Sequence, residues 1–376
     1  MSLKEIFCQD NAIAALERAY TCGRGAHAYI FAGPDGIGKF KTACEWAKLL
    51  LCKNPTMTKI RSLDFADSCG RCESCQAFDA DSHPDFNHIY KELLEFTQDG
   101  KGKTTPTELP IDVIREFLIK KAFIKPMLSN GKVFVVSEAE KLNPSSQNAM
   151  LKVLEEPPPR CCIILLCTRL EALLPTTKSR CQIIRFGPIN EIAIVERLTE
   201  IGLEHTKAQY FARLSQGSLG TACRLAQLEQ AGAKIYQTKK ELLEAVVACR
   251  LPDVLDLAQQ FTERSKSIAA VWTELDQTTS KADLARTAQK TLIHVIISAL
   301  QDALRLGVNP NDTLVNSDQK DRIVELARRY DPEEAAEKIT QCYQALRWIE
   351  AAVNERLIFE HLLLDLTNSD IIAHSL

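Results

Sequence analysis

The sequence lacks a strong net charge, a dominant residue class and a long hydrophobic run. Its 46 basic and 49 acidic residues leave a formal net charge of −3, which excludes a globally basic coat for nucleic acid and restricts any polyanion contact to a local face. No stretch reaches the roughly 18 uninterrupted apolar residues of a spanning helix. Residues 1–6 also show no apolar run after a basic start. We therefore expect neither secretion nor membrane insertion, and a cytoplasmic location.

Cysteine, by contrast, is abundant, with 14 residues in a chain of 376. In a reducing compartment cysteines act as small core residues, metal ligands or catalytic groups rather than as disulfides. The chain is 45% hydrophobic and 25% charged, a composition typical of a folded protein. At about 100–200 residues per domain, its length predicts two or three domains, each with its own core.

Hydrophobic patterning divides the chain into an α/β part followed by an all-α part. Residues 29–32 form a short apolar run that predicts a strand, and a glycine loop and a helical pattern follow it. Continuous apolar runs at 133–136 and 163–166 predict two more strands of a parallel sheet that is covered on both faces. After about Pro188 the strand signals end, and helical patterns continue to the end of the sequence.

Residues 33–39, Gly-Pro-Asp-Gly-Ile-Gly-Lys, fit the G-x-x-x-x-G-K phosphate loop, between a predicted strand and a predicted helix. Gly33, Gly36 and Gly38 would let backbone N–H groups face the phosphates, and Lys39 would neutralise their charge. The anion would also meet the positive end of the following helix. The sequence therefore predicts a site that binds nucleotide phosphates.

Neither of the two positions that hold magnesium in sites of this type carries a metal ligand here. Phe40 stands where a Ser or Thr hydroxyl coordinates the metal, and Thr42 cannot replace it because two residues span about 200° around a helix. Ser137 stands where a hydrolysing enzyme places an aspartate. We therefore expect that ATP can bind but is not hydrolysed. Glu138 and Glu140 are explained as well by solvated acids as by catalysis.

Four motifs together resemble the clamp-loader subunits of the AAA+ class. They are the phosphate loop, Ser-Glu-Ala at 137–139, Leu-Lys-Val-Leu-Glu-Glu-Pro-Pro at 151–158, and Leu-Pro-Thr-Thr-Lys-Ser-Arg-Cys at 174–181. The resemblance covers about residues 3–228 strongly, and the helical remainder less so. It implies a rigid stator with a degenerate nucleotide site, placed among ATPase subunits that load a sliding clamp onto primed DNA.

The resemblance also implies a domain plan. An AAA+ nucleotide-binding-like domain would occupy residues 1–187, with a zinc module inserted at about 52–75. A small helical lid domain would follow at 188–235, and a C-terminal helical collar for oligomerisation at 240–376.

The same resemblance assigns roles to three further residues. Arg180, in the Ser-Arg-Cys motif, would act across a subunit interface on the γ-phosphate of a neighbour's ATP, a task that suits a planar, permanently charged guanidinium. The alternative is a surface arginine paired with a nearby acid. Thr168 would sense the γ-phosphate, unless it is a strand-end hydroxyl bonded to backbone. Gly220 replaces an arginine of hydrolysing relatives, and Arg224, one turn later, is the candidate substitute.

Cys69, Cys72 and Cys75 follow a C-x₂-C-x₂-C spacing, and Cys52 lies upstream at the end of the first predicted helix. Four thiolates make a closed tetrahedral zinc site whose role is structural. A bacterial iron–sulfur sequence would need a further cysteine where Asp79 stands.

Other cysteines and nearby histidines are weighed as zinc ligands. Cys44 is the alternative fourth ligand, and His83 and His88 are interpreted as ordinary loop histidines. The nine cysteines outside the cluster and the Ser-Arg-Cys motif are predicted to fill apolar cores.

Three functions remain open from the sequence: a stator that lends Arg180, an active ATPase subunit of the same assembly, and a zinc-dependent DNA-binding protein. Phe40, Ser137 and Gly220 argue against the second. The third depends on a local excess of positive charge, for which solvated helix charge is the commoner explanation. Its basic residues are Lys101, Lys103, Arg115, Lys120, Lys121, Lys125 and Lys132.

Overall fold

A computed structural model describes residues 3–60, 63–97, 106–277, 279–310 and 312–367. The chain divides into two compact units, each described here by itself. The first comprises residues 1–190 and 217–220, and the second comprises residues 191–216 and 221–376.

The first unit contains the strands. In chain order they are β1 (Ala28–Ala32), β2 (Thr56–Ile60), β3 (Leu63–Asp67), β4 (Phe86–Ile89), β5 (Lys132–Val136), β6 (Cys161–Cys167) and β7 (Gln182–Arg185). Five of them form one parallel sheet in the order β4-β5-β6-β1-β7, and β2 and β3 form a separate antiparallel hairpin. The predicted parallel sheet is confirmed.

Helices cover both faces of this sheet. They are α1 (Asp10–Thr21), α2 (Lys39–Leu51), α3 (Glu73–Asp79), α4 (Ile111–Val113), a π-helical stretch (Ile114–Ile119), α5 (Lys120–Ala122), α6 (Pro144–Glu155) and α7 (Pro175–Lys178). Strands β1, β5 and β6 are buried at every residue, which is why each reads as a continuous apolar run. Alternate side chains enter two cores: Ile30, Phe134 and Ile163 pack with α6, while Tyr29, Val135 and Ile164 pack with α1 and α2.

The second unit is helical throughout its described part, which confirms the predicted change from α/β to all-α. Its helices are α8 (Glu191–Glu200), α9 (His205–Leu214), α10 (Leu219–Leu228, whose first two residues belong to the first unit), α11 (Ile235–Ala248), α12 (Val254–Leu275), α13 (Lys281–Val308), α14 (Lys320–Arg329), α15 (Pro332–Glu350) and α16 (Glu355–Thr367). Helix α15 begins at Pro332, where Asp331 and Glu334 form a capping box.

Helix α13 is the one helix, among the residues that the structure describes, with the length and composition to cross a membrane. However, 61% of its most apolar window is buried inside the protein. Its apolar side chains, from Leu284 to Leu306, pack against the neighbouring helices of the unit. This burial is typical of a core helix.

The cysteines outside the predicted metal cluster are only partly core residues. Five of them are buried: Cys161, Cys162, Cys167, Cys249 and Cys342. Cys8 and Cys22 are exposed, so the prediction that all of these cysteines fill apolar cores is wrong for these two.

Candidate functional sites

The loop at residues 33–39 connects the end of β1 to α2, which begins at Lys39. Gly36 (φ 70°) and Gly38 (φ 100°) adopt left-handed backbone conformations that side chains other than glycine disfavour. A Cβ on Gly33 would lie 2.5 Å from the carbonyl oxygen of Phe186. The glycines are therefore required by the path of the loop, as the phosphate-loop motif predicts.

Lys39 is turned toward its own loop. Its Nζ donates to the carbonyl oxygens of Gly33 (2.6 Å) and Pro34 (2.5 Å), and the residue is only 7% exposed. Burial lowers the pKa of Lys39, an effect that the charges of Asp35 and Glu140 oppose. A phosphate that entered the loop would have to exchange with these carbonyl contacts.

A cavity of about 410 Å³ lies beside the loop, lined also by Ser137, Glu138, Glu140, Thr168 and Gly220. The structure thus brings the predicted nucleotide-binding residues Gly36, Gly38, Lys39 and Thr168 to one place. The hydroxyl of Thr168 donates to a carboxylate oxygen of Glu140 at 2.5 Å, and its backbone N–H donates to the other at 3.2 Å. Thr168 is therefore held by an acid, a partner that neither sequence interpretation named.

The two positions that lost metal ligands both contact His88 of β4. The ring centroids of Phe40 and His88 are 4.6 Å apart, and Nε2 of His88 is 2.8 Å from Oγ of Ser137. Tyr90 packs against the same imidazole, with centroids 4.9 Å apart. Burial lowers the pKa of His88 to about 4, so the ring is neutral at pH 7. The interpretation of His88 as a loop histidine is wrong, because it lies in a strand.

Thr42 is fully buried, and its hydroxyl donates to the carbonyl oxygen of Gly38 at 2.9 Å. Its hydroxyl is therefore bonded to the helix backbone and does not replace the hydroxyl missing at Phe40, which agrees with the prediction from helical geometry. At the other side of the cavity, the N–H of Gly220 donates to the carbonyl oxygen of Gly36 at 2.7 Å. A Cβ at Gly220 would lie 2.8 Å from Cα of Gly36, so no side chain fits there unless the loop moves. Arg224 belongs to the second unit.

The four cysteines of the predicted zinc module converge. All four sulfur atoms lie within 4.8 Å of one another, with Sγ–Sγ distances of 3.6 Å (Cys52–Cys69), 3.9 Å (Cys52–Cys72) and 4.0 Å (Cys69–Cys75). A tetrahedral zinc with Zn–S bonds of about 2.3 Å requires S–S separations of about 3.8 Å. The cluster therefore has the dimensions of a tetrathiolate zinc site.

Backbone groups around this cluster stabilise thiolate sulfur. The N–H of Cys69 donates to Sγ of Cys52 at 3.3 Å, and the N–H of Cys72 donates to Sγ of Cys69 at 3.4 Å. Burial opposes ionisation of Cys72, but N–H groups of Cys75 and Lys53 outweigh it and lower its pKa to about 6. Cys44 lies outside the cluster, and burial raises its pKa to about 12.

A chain of hydrogen bonds that no sequence pattern indicated connects this module to Asp85, just before β4, and to residues 127–129. The hydroxyl of Ser74 donates to the carbonyl oxygen of Leu51 and lies 2.9 Å from Nε2 of His83. Nδ1 of His83 accepts from the N–H of Asp85, which fixes the neutral Nε2–H tautomer. The carboxylate of Asp85 accepts from the N–H groups of residues 127–129, at 2.7 to 2.8 Å.

Arg180 lies just after α7 and is paired with an acid of the motif at 151–158. Its guanidinium is 2.6 Å from a carboxylate oxygen of Glu155 and donates to the carbonyl oxygen of Thr176 at 2.8 Å. A third of its side chain is exposed. The pair fits the alternative of a surface arginine bonded to a local acid, and it leaves the guanidinium within reach of solvent.

Three basic residues in the described part of the stretch at 101–132 have partners within the chain. Lys101 and Lys103 lie outside the described residues. Of the five others, Lys121 donates to Oδ1 of Asn87, Lys132 donates to the carbonyl oxygen of Lys121, and Lys120 lies 4.0 Å from Glu116. These contacts weaken the DNA-binding hypothesis that depended on this stretch.

The parallel sheet, the glycine loop after β1 and the helices on both faces define a P-loop protein of the AAA+ class. One family model, described as DNA polymerase III, delta subunit, matches residues 8–190, and another, described as DNA polymerase III, delta subunit, C terminal, matches residues 256–368. The chain belongs to this DNA polymerase III family of clamp-loader subunits, which confirms the resemblance seen in the motifs.

Individual relatives agree with this membership. The chain is 32% identical over 232 residues to DNA polymerase III subunit delta' of Escherichia coli, an alignment that covers 61% of this chain and 62% of that protein. It is 23% identical to the subunit delta' of Bacillus subtilis over 91% of both chains. A DNA polymerase III subunit gamma/tau of Mycobacterium bovis is 34% identical over 180 residues, 48% of this chain and 27% of that protein.

Proposed function

We propose that this chain is a delta-prime clamp-loader subunit of the replicative DNA polymerase III holoenzyme. It acts as a stator and supplies Arg180 as an arginine finger to a neighbouring ATPase subunit while the sliding clamp is loaded onto primed DNA. The observation that carries the stator role is the loss of both metal-ligand positions beside the phosphate loop, where Phe40 and Ser137 each contact His88 instead.

Without a metal ligand at either position, the loop lacks the main charge stabiliser for phosphoryl transfer. The backbone cradle at Gly33, Gly36 and Gly38 remains, with Lys39 and Thr168 beside it. These residues would hold ATP without turning it over. The exposed third of Arg180 supports the finger role, because an exposed ion pair is weak enough to exchange Glu155 for a phosphate of a neighbour.

The proposed cofactor is structural zinc at Cys52, Cys69, Cys72 and Cys75. A closed site of this kind contributes folding free energy and takes no part in chemistry. The proposed domain plan is a nucleotide-binding-like domain at 1–187 with the zinc module at about 52–75, a helical lid at 188–235 and a collar at 240–376 that joins the subunits.

The proposed partners are the gamma/tau ATPases and the delta subunit directly, and the sliding clamp and primed DNA through the complex. The proposed location is the cytoplasm, without a membrane. The second candidate is an active ATPase subunit of the gamma/tau kind. The observations that favour it are the intact glycine loop and the 34% identity to a gamma/tau subunit.

Reconstitution distinguishes these candidates. The full chain is mixed with gamma/tau and delta subunits and separated by size, and ATP turnover is measured for the chain alone and for the complex. The stator predicts co-elution, with no turnover by the isolated chain. Failure to join the complex contradicts the proposal, whereas turnover by the isolated chain that Lys39→Ala abolishes favours the ATPase alternative.

A further inference from the structure

Both positions that have lost a metal ligand contact one further side chain, His88. His88 lies in β4, one of the two edge strands of the sheet, and is paired opposite Val135 of β5. Its imidazole contacts the ring of Phe40 on one side and Oγ of Ser137 on the other. One residue therefore contacts both positions from which a divalent cation would be coordinated.

We infer that His88 is a specificity-determining residue that excludes the divalent cation from this loop, independently of the losses at Phe40 and Ser137. The inference deepens the proposed non-hydrolysing site and depends on that proposal for the identity of the ligand, a nucleotide phosphate. A magnesium ion needs near-octahedral oxygen ligands at about 2.0–2.1 Å. Phe40 has no ligand atom, and Oγ of Ser137 is already bonded to His88. The carboxylates that line the same cavity are also engaged, Glu138 by Lys141 and Glu140 by Thr168.

His88 should still exclude the cation when the two lost ligands are restored by substitution. Oγ of Ser137 lies 2.8 Å from Nε2 of His88, so Ser137→Asp would place a carboxylate beside the same nitrogen. Nε2 of His88 would then bond to an oxygen of that carboxylate and compete with the cation for it. Restoring the two lost ligands therefore leaves the cation excluded while His88 is present.

The experiment measures binding of ADP to the isolated full chain, with Mn²⁺ or with EDTA, and detects bound Mn²⁺ by electron paramagnetic resonance. The variants are the wild type, the double variant Phe40→Thr/Ser137→Asp, and a triple variant with His88→Ala added. A matched control adds Tyr90→Ala to the double variant, because Tyr90 packs on His88 but has no bond to Ser137 among the described contacts.

The triple variant is expected to bind ADP at least tenfold more tightly with Mn²⁺ than with EDTA, and to retain one Mn²⁺. For the wild type, the double variant and the Tyr90 control, the ADP affinity with Mn²⁺ is expected to lie within twofold of the affinity with EDTA. A version with His88→Val keeps a β-branched side chain in the strand if alanine unfolds it. Mn²⁺ binding by the double variant, or its absence in a folded triple variant, overturns the inference.

Failure of this inference is distinct from failure of the proposed function. Binding of Mn²⁺ is measured without any partner subunit, whereas the proposed function is tested by assembly with the gamma/tau and delta subunits. A chain that joins the complex but takes up Mn²⁺ in the double variant would refute the role of His88 alone.

Discussion

Replacement of Arg180 by alanine should separate catalysis from stability. In the free chain the guanidinium is paired with Glu155 and bonded to the carbonyl oxygen of Thr176, and it is partly exposed. Exposed ion pairs contribute about 0.2–1 kcal/mol. At about 2–4 °C per kcal/mol for a unit of this size, the melting temperature of Arg180→Ala should fall by no more than a few degrees.

The effect on the neighbour's chemistry should be far larger. Arginine fingers contribute about 10³–10⁵ to the rate of phosphoryl transfer, which corresponds to about 4–7 kcal/mol at about 1.4 kcal/mol per factor of ten. Only the ATP site that faces this chain loses its finger. Single-turnover phosphate release by the assembled complex should therefore lose one phase, while the phases of the other sites remain.

Two matched variants test the physical reason. Arg180→Lys keeps the charge but loses the planar guanidinium that spreads over phosphate oxygens. The phase of phosphate release that is lost in Arg180→Ala should therefore be lost in this variant as well. Glu155→Gln releases the guanidinium from its pair and should leave turnover undiminished. Unchanged phosphate release in Arg180→Ala, or a loss of several kcal/mol of stability, would refute the reasoning.

Three further changes test the rest of the molecule. Cys72→Ser should abolish stoichiometric zinc, measured by metal analysis of the purified chain, whereas Cys44→Ser, outside the cluster, should leave it intact. Asp85→Ala should cost about 1–3 kcal/mol in denaturant unfolding, because it removes the buried carboxylate that accepts from the N–H groups of residues 127–129. Although burial opposes it, bonding to these N–H groups holds the pKa of Asp85 below its usual range. This stabilisation is therefore present above about pH 4 and is lost as pH falls through the folded-state pKa, so acid should destabilise the wild type more steeply than Asp85→Asn. Gly220→Ala should weaken ADP binding at the loop, measured by equilibrium dialysis, because its Cβ would press on Gly36; equal affinity would contradict this.

The parts predictable from the sequence are those whose signal is local. Strands β1, β5 and β6 are buried on both faces, so their own residues report them. The edge strand β7 has exposed residues at both ends and was not predicted, and neither were β4 and the β2–β3 hairpin. The glycine loop and the cysteine cluster follow from spacing, because the chemistry of phosphate and zinc fixes which residues must be close together.

Contacts between distant segments could not be predicted in the same way. Thr168 is bonded to Glu140 and Arg180 to Glu155, and in each case the fold brings together segments that are separate in the sequence. The role of His88 depends on the register of β4 beside β5. Residues 86–89, Phe-Asn-His-Ile, do not alternate between apolar and polar side chains. Their pattern therefore indicates neither the strand nor the side chains that its histidine contacts.

The hydrogen bonds through Ser74, His83 and Asp85 have a consequence for local unfolding. They join the end of α2, the cysteine-bearing α3 and residues 127–129 into one cooperative unit, although these segments are far apart in the sequence. Met127 has an 81% exposed side chain, yet its amide hydrogen is held by a fully buried carboxylate. That amide should exchange with solvent deuterium as slowly as those of the sheet, and it should become fast when the cysteine cluster unfolds.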